Sequence, residues 1–258
     1  MRLRAVEGIP EVVDGDDIAA MLDELDPPQS DDVVVIASTI VSKAEGRGRL
    51  LDAYTPGERA KEIADRLDRR HGGSRDPRFA QAVIEESEEI VIDDPFLLTV
   101  TRFGHTGVNA GIDRSNLPED ADILLLPADP MASATRIHET LESNPPVVIS
   151  DTSGRPFRHG QRGVAIGWAG MPATRDWRGH PDRTGHELSV TVEAVVDELA
   201  AAANLLAGEA DDGLPVVYVE DWYVDDITGT DRLFRSAEDD YVRQALRSWE
   251  YRPSSDNG

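Results

Sequence analysis

Val33-Val34-Val35-Ile36-Ala37-Ser38-Thr39-Ile40-Val41-Ser42-Lys43 is the stretch from which the fold can be read. Its first five residues are apolar and mostly β-branched, the pattern of a short buried strand. Hydroxyls and a lysine follow at once, so the strand delivers polar chemistry at its end. Working outward, Ile123–Leu126, Val147–Ile149 and Leu214–Val219 carry the same apolar signature. Gly163-Val164-Ala165-Ile166-Gly167-Trp168-Ala169-Gly170 is a strand laced with glycine, which predicts bulges or close backbone approach. Helical segments lie between these runs. The expected class is therefore α+β, a mixed α/β arrangement, with a strand order that the sequence leaves open. No repeat or linker divides the chain, so residues 1–258 read as a single domain, with room for two subdomains at no marked boundary.

Local signals place the remaining elements. Gly8–Val13 reads as a short strand edged by a proline turn, and Asp16-Asp17 caps a helix through Leu25. Thr55-Pro56-Gly57-Glu58 supplies an N-cap, an N1 proline and an acidic first turn for a helix to Arg70, ended by His71-Gly72-Gly73-Ser74. A second helix is expected over Pro77–Glu86, then strands at Ile90–Ile92 and Phe96–Thr101. Asp129-Pro130 opens a helix to Ser143, and Arg175–Gly185 reads as an irregular loop. The longest helix is expected from Glu187 to Leu206, closed by Gly208, with Leu199–Ala203 small enough for tight packing against a partner subunit. A last helix spans Glu238–Trp249.

Composition narrows the function. Asp and Glu number 50 against 26 basic residues, for a net charge of −24, and Lys43 and Lys61 are the only lysines. Acid spread along the whole chain with lysine almost absent suggests a high-salt cytoplasm, where a strongly negative surface is screened and maintains solubility. Nucleic acid is a poor partner for such a surface. The absence of cysteine excludes disulfides, zinc thiolates and cysteine nucleophiles. No apolar run approaches a membrane span, so the expectation is a soluble, cytoplasmic protein without a membrane partner.

Three polar stretches stand out against the apolar runs. Gly107-Val108-Asn109-Ala110-Gly111-Ile112-Asp113-Arg114-Ser115-Asn116 pairs turn-forming glycines with a carboxylate, a guanidinium, a hydroxyl and an amide. Ser150-Asp151-Thr152-Ser153-Gly154-Arg155-Pro156 follows a buried run and reads as a second loop led by an aspartate. Glu209-Ala210-Asp211-Asp212-Gly213 is a third acidic loop. Carboxylates on separate loops are what a divalent cation on a polyphosphate needs, because Mg²⁺ is held by one or two carboxylates plus substrate phosphates. Asp113, Asp151 and Glu209 are the candidate ligands. Lys43, retained in a chain that has discarded lysine, is the candidate anion binder. Neither a P-loop nor a G-x-G-x-x-G nor H-E-x-x-H is present, and Asp151-Thr152-Ser153-Gly154 is not a nucleophile elbow. His105 reads as a turn residue rather than a proton shuttle. These residues alone give a metal–phosphate site without naming a reaction.

Four stretches in one order carry a resemblance: Gly8-Ile9-Pro10-Glu11, Ser38–Gly46, Val108–Asn116 and Asp151–Pro156. Together they resemble the coenzyme F420-0:L-glutamate ligase family, the γ-glutamyl ligases of deazaflavin cofactor biosynthesis, and the acidic, lysine-poor composition is similar to its halophilic archaeal members. The resemblance implies a GTP-dependent addition of L-glutamate to coenzyme F420-0, then of a second, γ-linked glutamate. It implies two divalent ions, Mg²⁺ or Mn²⁺, with Asp113 and Asp151 on one and Thr152 with a carboxylate or amide of the 208–213 loop on the other. The family often has glutamine where this chain has Glu209. GTP would be lined by Ile9, Pro10, Glu11, Val12, Ser38, Thr39, Lys43, Asn116 and the loop Ala207, Gly208, Glu209, Ala210, Asp211, Asp212, Gly213, Leu214. A monovalent cation, K⁺, and an intertwined homodimer are further implications. Lys43, Asp113 and Asp151 would carry the phosphoryl chemistry, and Arg114 and Arg155 would clamp substrate carboxylates or phosphates. The competing readings are a metal-dependent nucleotide hydrolase or kinase without a P-loop, and a non-catalytic acidic binding protein.

Overall fold

The Val33–Ala37 run is a strand with its first four residues buried, in the middle of a five-stranded sheet. The structure is a computed structural model that describes residues 1–210, 212–222 and 228–249. Its first part runs β1 (Arg2–Ala5), α1 (Ile18–Leu25), β2 (Val33–Ala37), α2 (Ser38–Ala44) and β3 (Gly48–Arg49). Then come α3 (Glu58–His71), α4 (Pro77–Glu86), β4 (Ser87–Ile92), β5 (Leu98–Thr101), β6 (Thr106–Val108) and β7 (Ile123–Leu124). The remainder is α5 (Pro130–Thr140), β8 (Val147–Gly154), β9 (Gln161–Ala169), β10 (Arg175–Asp176), β11 (Val192–Glu193), α6 (Val195–Ala207), β12 (Val216–Glu220) and α7 (Tyr241–Arg247). The class is mixed α and β. The chain forms two units, Met1–Gly48 with the described residues of Leu126–Leu233, and Arg49–Leu125 with those from Phe234 onward.

In the first unit the sheet order is β1-β12-β2-β8-β9, with β2 and β8 parallel and every other pair antiparallel. All five residues of β12 are buried, as are Val147–Ile149 of β8, so both faces of the sheet are covered. Helix α6 packs on β9 and β12, and α5 on β9 and β8. The glycines of β9 make this approach possible: a Cβ on Gly163 would lie 2.4 Å from the Ala200 carbonyl oxygen, and one on Gly167 2.3 Å from that of Pro130. The expected bulge is present too. Ile149 pairs with Gly167 and Ser150 with Ala165, which leaves Ile166 as the extra residue.

The second unit stacks α3 and α4 beside the antiparallel sheet β4-β5-β6. Its core joins Ile63 and Leu67 of α3 to Val83 of α4, Leu97, Ile112 and Ile123. Helix α7 fully buries none of its side chains; Leu246 packs on the Val91, Ile92 and Val100 cluster, and charge adds to the attachment, Arg247 Nε donating to Glu89 Oε1 at 2.6 Å and Arg243 Nε to Glu89 Oε2 at 2.8 Å. Hydrogen bonding from Arg247, then Arg243, holds the Glu89 carboxyl down to about 2.

Several expectations are corrected. Gly8–Val13 is irregular; the edge strand is β1, whose Arg2 and Arg4 both pair with Glu220 across the sheet edge. Alternating charge hid that strand. Thr39–Lys43 lies in α2, not at a strand end, because the sheet stops at Ala37 and the chain turns into a helix. Ser150–Gly154 continues β8 instead of forming a loop. Helix α6 begins only at Val195 and, at 13 residues, is shorter than the 14 of α3. The residues before it are drawn back into a strand, Val192 and Glu193 pairing with Asp176 and Arg175. β-branched Val190, Thr191 and Val192 favour that outcome. The cap of α3 is Gly57 rather than Thr55, α5 ends at Thr140, and α7 spans only Tyr241–Arg247. Pro77–Glu86 and the Asp17 and Gly208 caps stand where the sequence places them.

Candidate functional site

Strand β8 outruns its neighbour. β2 ends opposite Ser150, so Asp151, Thr152 and Ser153 are paired only with β9 on their other side. This is the carboxyl end of the sheet's one parallel pair, the end at which open parallel sheets place their ligands. Ser38, the first residue of α2, is 4% exposed, and its Oγ donates to Asp151 Oδ1 at 3.0 Å. Thr152 Oγ1 donates to Glu209 Oε1 at 3.2 Å, and Asn204 Nδ2 donates to the same oxygen at 2.8 Å. Because consecutive strand residues point to opposite faces, these are two separate oxygen pairs, Ser38–Asp151 and Thr152–Glu209.

Glu209 reaches Thr152 because α6 stops sharply. Gly208 caps it at φ 74, a backbone conformation that favours glycine, and the chain turns back there toward β12. Ala210, Gly213 and Leu214 belong to the same connection, with Ala210, Asp212 and Gly213 exposed. Asp211 lies outside the described residues. Asn204 is the member that sequence reasoning missed; its place in the last turn of α6, five residues before Glu209, was the available signal.

Lys43 is buried in α2 and its ammonium pairs with Glu11, whose side chain is 74% exposed. A buried cation whose partner reaches in from solvent can exchange that partner for another anion. Val12 is buried beside Glu11, whereas Pro10 is exposed and Ile9 half-buried. Thr39 follows Ser38 in the first turn of α2. Arg155 is exposed beyond the end of β8, with no ion-pair partner among the described residues. The structure thus gathers Ser38, Asp151, Thr152 and Glu209, and separately Lys43 and Glu11, within the first unit.

Asp113, Arg114 and Asn116 belong to the second unit. The Asp113 backbone pairs with Leu124, N to O at 2.9 Å, while its Oδ1 accepts from the Arg114 and Ser115 amides at 2.6 and 2.8 Å and from Ser115 Oγ at 2.7 Å. Oδ1 is saturated, and Oδ2 has no partner among the described residues. Asn109 and Ala110 both stand at φ 55 and Asn116 at φ 49, so the turn promised by the glycines is made largely by non-glycine residues in the left-handed region. Arg114 lies over the Phe79 ring at 5.4 Å. His105 closes the turn between β5 and β6, its backbone N–H donating to Thr101 Oγ1 at 3.1 Å, and burial lowers its pKa to about 4. It is a neutral turn residue, as read from the sequence.

Within the first unit the candidate ligands are hard oxygens, carboxylates at Asp151 and Glu209 and hydroxyls at Ser38 and Thr152; the Asp113 carboxylate of the second unit is of the same kind. That chemistry fits Mg²⁺ or Mn²⁺. Among the described residues no group of three or more His, Asp or Glu is clustered as a self-sufficient metal cage, and no helix is long and apolar enough to cross a membrane.

Comparison with known proteins gives a consistent answer. A family model described as F420-0:Gamma-glutamyl ligase matches residues 8–221. The protein named coenzyme F420:L-glutamate ligase from Natronomonas pharaonis is 61% identical over 97% of this chain and 98% of its own length. That of Halorubrum lacusprofundi is 61% identical over 97% of this chain and 99% of its own. One of the same name from Archaeoglobus fulgidus is 46% identical over 94% of this chain and 96% of its own.

Proposed function

The chain belongs to the F420-0:gamma-glutamyl ligase family, and on that premise we propose that it is the ligase that joins L-glutamate to coenzyme F420-0, with GTP as the energy source. The observation that carries the reading is 61% identity, held over 97% of the chain, to a protein named coenzyme F420:L-glutamate ligase. Two of the relatives at this identity come from halophilic archaea, and the charge of −24 suits a high-salt cytoplasm.

A carboxylate is a poor electrophile, so activation must precede amide formation. In the proposed sequence a carboxylate oxygen of F420-0 attacks the γ-phosphorus of GTP, releasing GDP and leaving an acyl phosphate. The glutamate amine then attacks the acyl carbon, and inorganic phosphate leaves with its electron pair as the amine gives up a proton. Phosphoryl transfer is chiefly positioning and charge neutralisation. Lys43 would give up Glu11 for a phosphate oxygen of GTP. The segment Ile9–Val12, Ser38, Thr39, Asn116 and the Ala207–Leu214 loop would line the nucleotide. Asp151, fixed by Ser38, would hold one divalent ion, and Thr152 with Glu209 a second; Asp113 offers its Oδ2 as a further ligand. Bound Mg²⁺ or Mn²⁺ would neutralise triphosphate charge and polarise the transferring group. A protein this acidic needs such cations to hold two anionic substrates. Arg114 and Arg155 are assigned to substrate carboxylates or phosphates, K⁺ is a candidate activator, and a homodimer is the proposed assembly.

Incubation with F420-0, GTP, L-glutamate and Mn²⁺ at molar salt, read by product mass, tests the reading. Products heavier by one and then two glutamyl residues, with GDP and phosphate released in step, are expected. Phosphate release that ignores F420-0 and glutamate would instead make the protein a nucleotide hydrolase.

A further inference from the structure

The second unit contains a cleft of about 390 Å³ between α3, α4 and the Asn109–Arg114 segment. Its floor is aliphatic, from Leu67, Ala80, Leu97 and Ile112, and its wall is the Phe79 ring. Arg75, Arg114 and Asn109 also line it. The volume is in the range of small-molecule sites, and the lining follows their usual plan of an apolar body with a few convergent polar groups.

This polar lining is unusual for this chain. Acids outnumber bases 50 to 26, yet neither Arg75 nor Arg114 forms a close ion pair with a carboxylate among the described residues, Arg114 acting on Asp76 only through its charge, and the Asn109 side-chain amide makes no hydrogen bond there. The carboxylate that lines the cleft, Asp76, is already taken by Arg78, whose Nε lies 3.0 Å from each of its oxygens. Arg114 is instead laid over Phe79, its Cζ 5.4 Å from the ring centroid, so a guanidinium and an aromatic ring meet at the cleft. A planar ring is the shape that stacks on such a surface, and a carboxylate is the group a guanidinium fork binds bidentately. The backbone that brings Asn109 and Ala110 to the cleft is held in the left-handed region at both residues, a conformation that persists where the surroundings enforce it.

We propose that this cleft is a binding site for a planar aromatic acid, its ring on Phe79 and the aliphatic floor and its acid group on Arg114, with Arg75 as a second cation. The inference shares Arg114 with the ligase reading, which assigns that arginine to substrate carboxylates or phosphates, but it stands on the second unit's own cleft and concerns binding alone.

The test titrates the isotopically labelled full chain with 2-naphthoate and, separately, with its neutral counterpart 2-naphthamide, following backbone amide resonances. Naphthoate should shift the resonances of Phe79, Asn109 and Ile112 and bind about tenfold more tightly than the amide, the worth of one charge-assisted contact. Arg114→Gln should abolish that preference while leaving naphthamide affinity unchanged, and Phe79→Leu should weaken both probes. Both variants are checked for wild-type spectra before titration. Equal affinity for acid and amide, shifts confined to other residues, or a preference that survives Arg114→Gln would each overturn the proposal. Because no turnover is measured, loss of ligase activity and loss of this site are separable results.

Discussion

Lowering the pH should unfold the second unit through one histidine. His105 is 6% exposed and makes an edge-on contact with the Phe234 ring, centroids 6.2 Å apart. Burial lowers its pKa from 6.5 to about 4. A depressed histidine binds its proton more weakly in the folded chain than in the unfolded one. Its contribution to stability is therefore complete above pH 6.5 and is lost as the pH falls toward 4. Linkage puts the loss at about 2 kcal/mol between pH 7.5 and 5, and about 3 kcal/mol once both states are protonated. The upper window is the informative one, since unperturbed carboxylates stay ionised there. Urea unfolding at fixed molar salt should show the wild type losing about 2 kcal/mol across it. His105→Gln should lose that much less, although it starts less stable because Gln packs poorly against Phe234. Equal losses in the two proteins, or a His105 resonance titrating near 6.5 in the folded chain, would refute the reasoning.

Three further outcomes are expected. Asp151→Asn should fold normally and lose glutamylation by about a hundredfold or more at saturating substrates, as loss of a charge-holding ligand would; a rate within threefold of wild type would remove Asp151 from the site. Gly163→Val should destabilise the first unit by about 1–3 kcal/mol, because its Cβ would sit 2.4 Å from the Ala200 carbonyl and α6 must shift; an unchanged urea midpoint would contradict that packing. Glu89→Gln should loosen α7, leaving it held by the packing of Leu246. Since the Glu89 carboxyl is held at about 2, its stabilisation is present above pH 4.5 and fades as the pH falls toward 2; amide exchange in α7 at pH 7 should accelerate in the variant and not elsewhere.

Legibility varied with the reach of the interactions. Asp17, Asp129 and Gly208 could be placed as caps because a cap bonds within three or four residues of itself. The buried runs Val33–Ile36, Val147–Ile149 and Val216–Val219 could be read because apolar, β-branched continuity has few other uses. Strand β1 could not: its outward arginines make sense only once Glu220, more than two hundred residues away, is beside them. The start of α6 was misplaced for a similar reason, since Val192 and Glu193 are claimed by Asp176 and Arg175 from an earlier segment. At the candidate site the residue types were legible and their partners were not.

Read alone, the sequence establishes a mixed α and β chain, its acidic, nearly lysine-free character and its family, and it nominates the carboxylates and hydroxyls proposed for the site. Those are properties of residue type and short-range spacing, which survive in a one-dimensional string. The tertiary structure decides that Asp151 stands on a strand outrunning β2, that Ser38 and Glu209 are the groups beside Asp151 and Thr152, and that Lys43 is buried in a helix rather than exposed at a strand end. Each depends on residues distant in sequence that meet when a sheet is ordered and a helix stops. Only the folded chain specifies such meetings, because burial and hydrogen bonding are satisfied jointly by all the elements rather than locally by one.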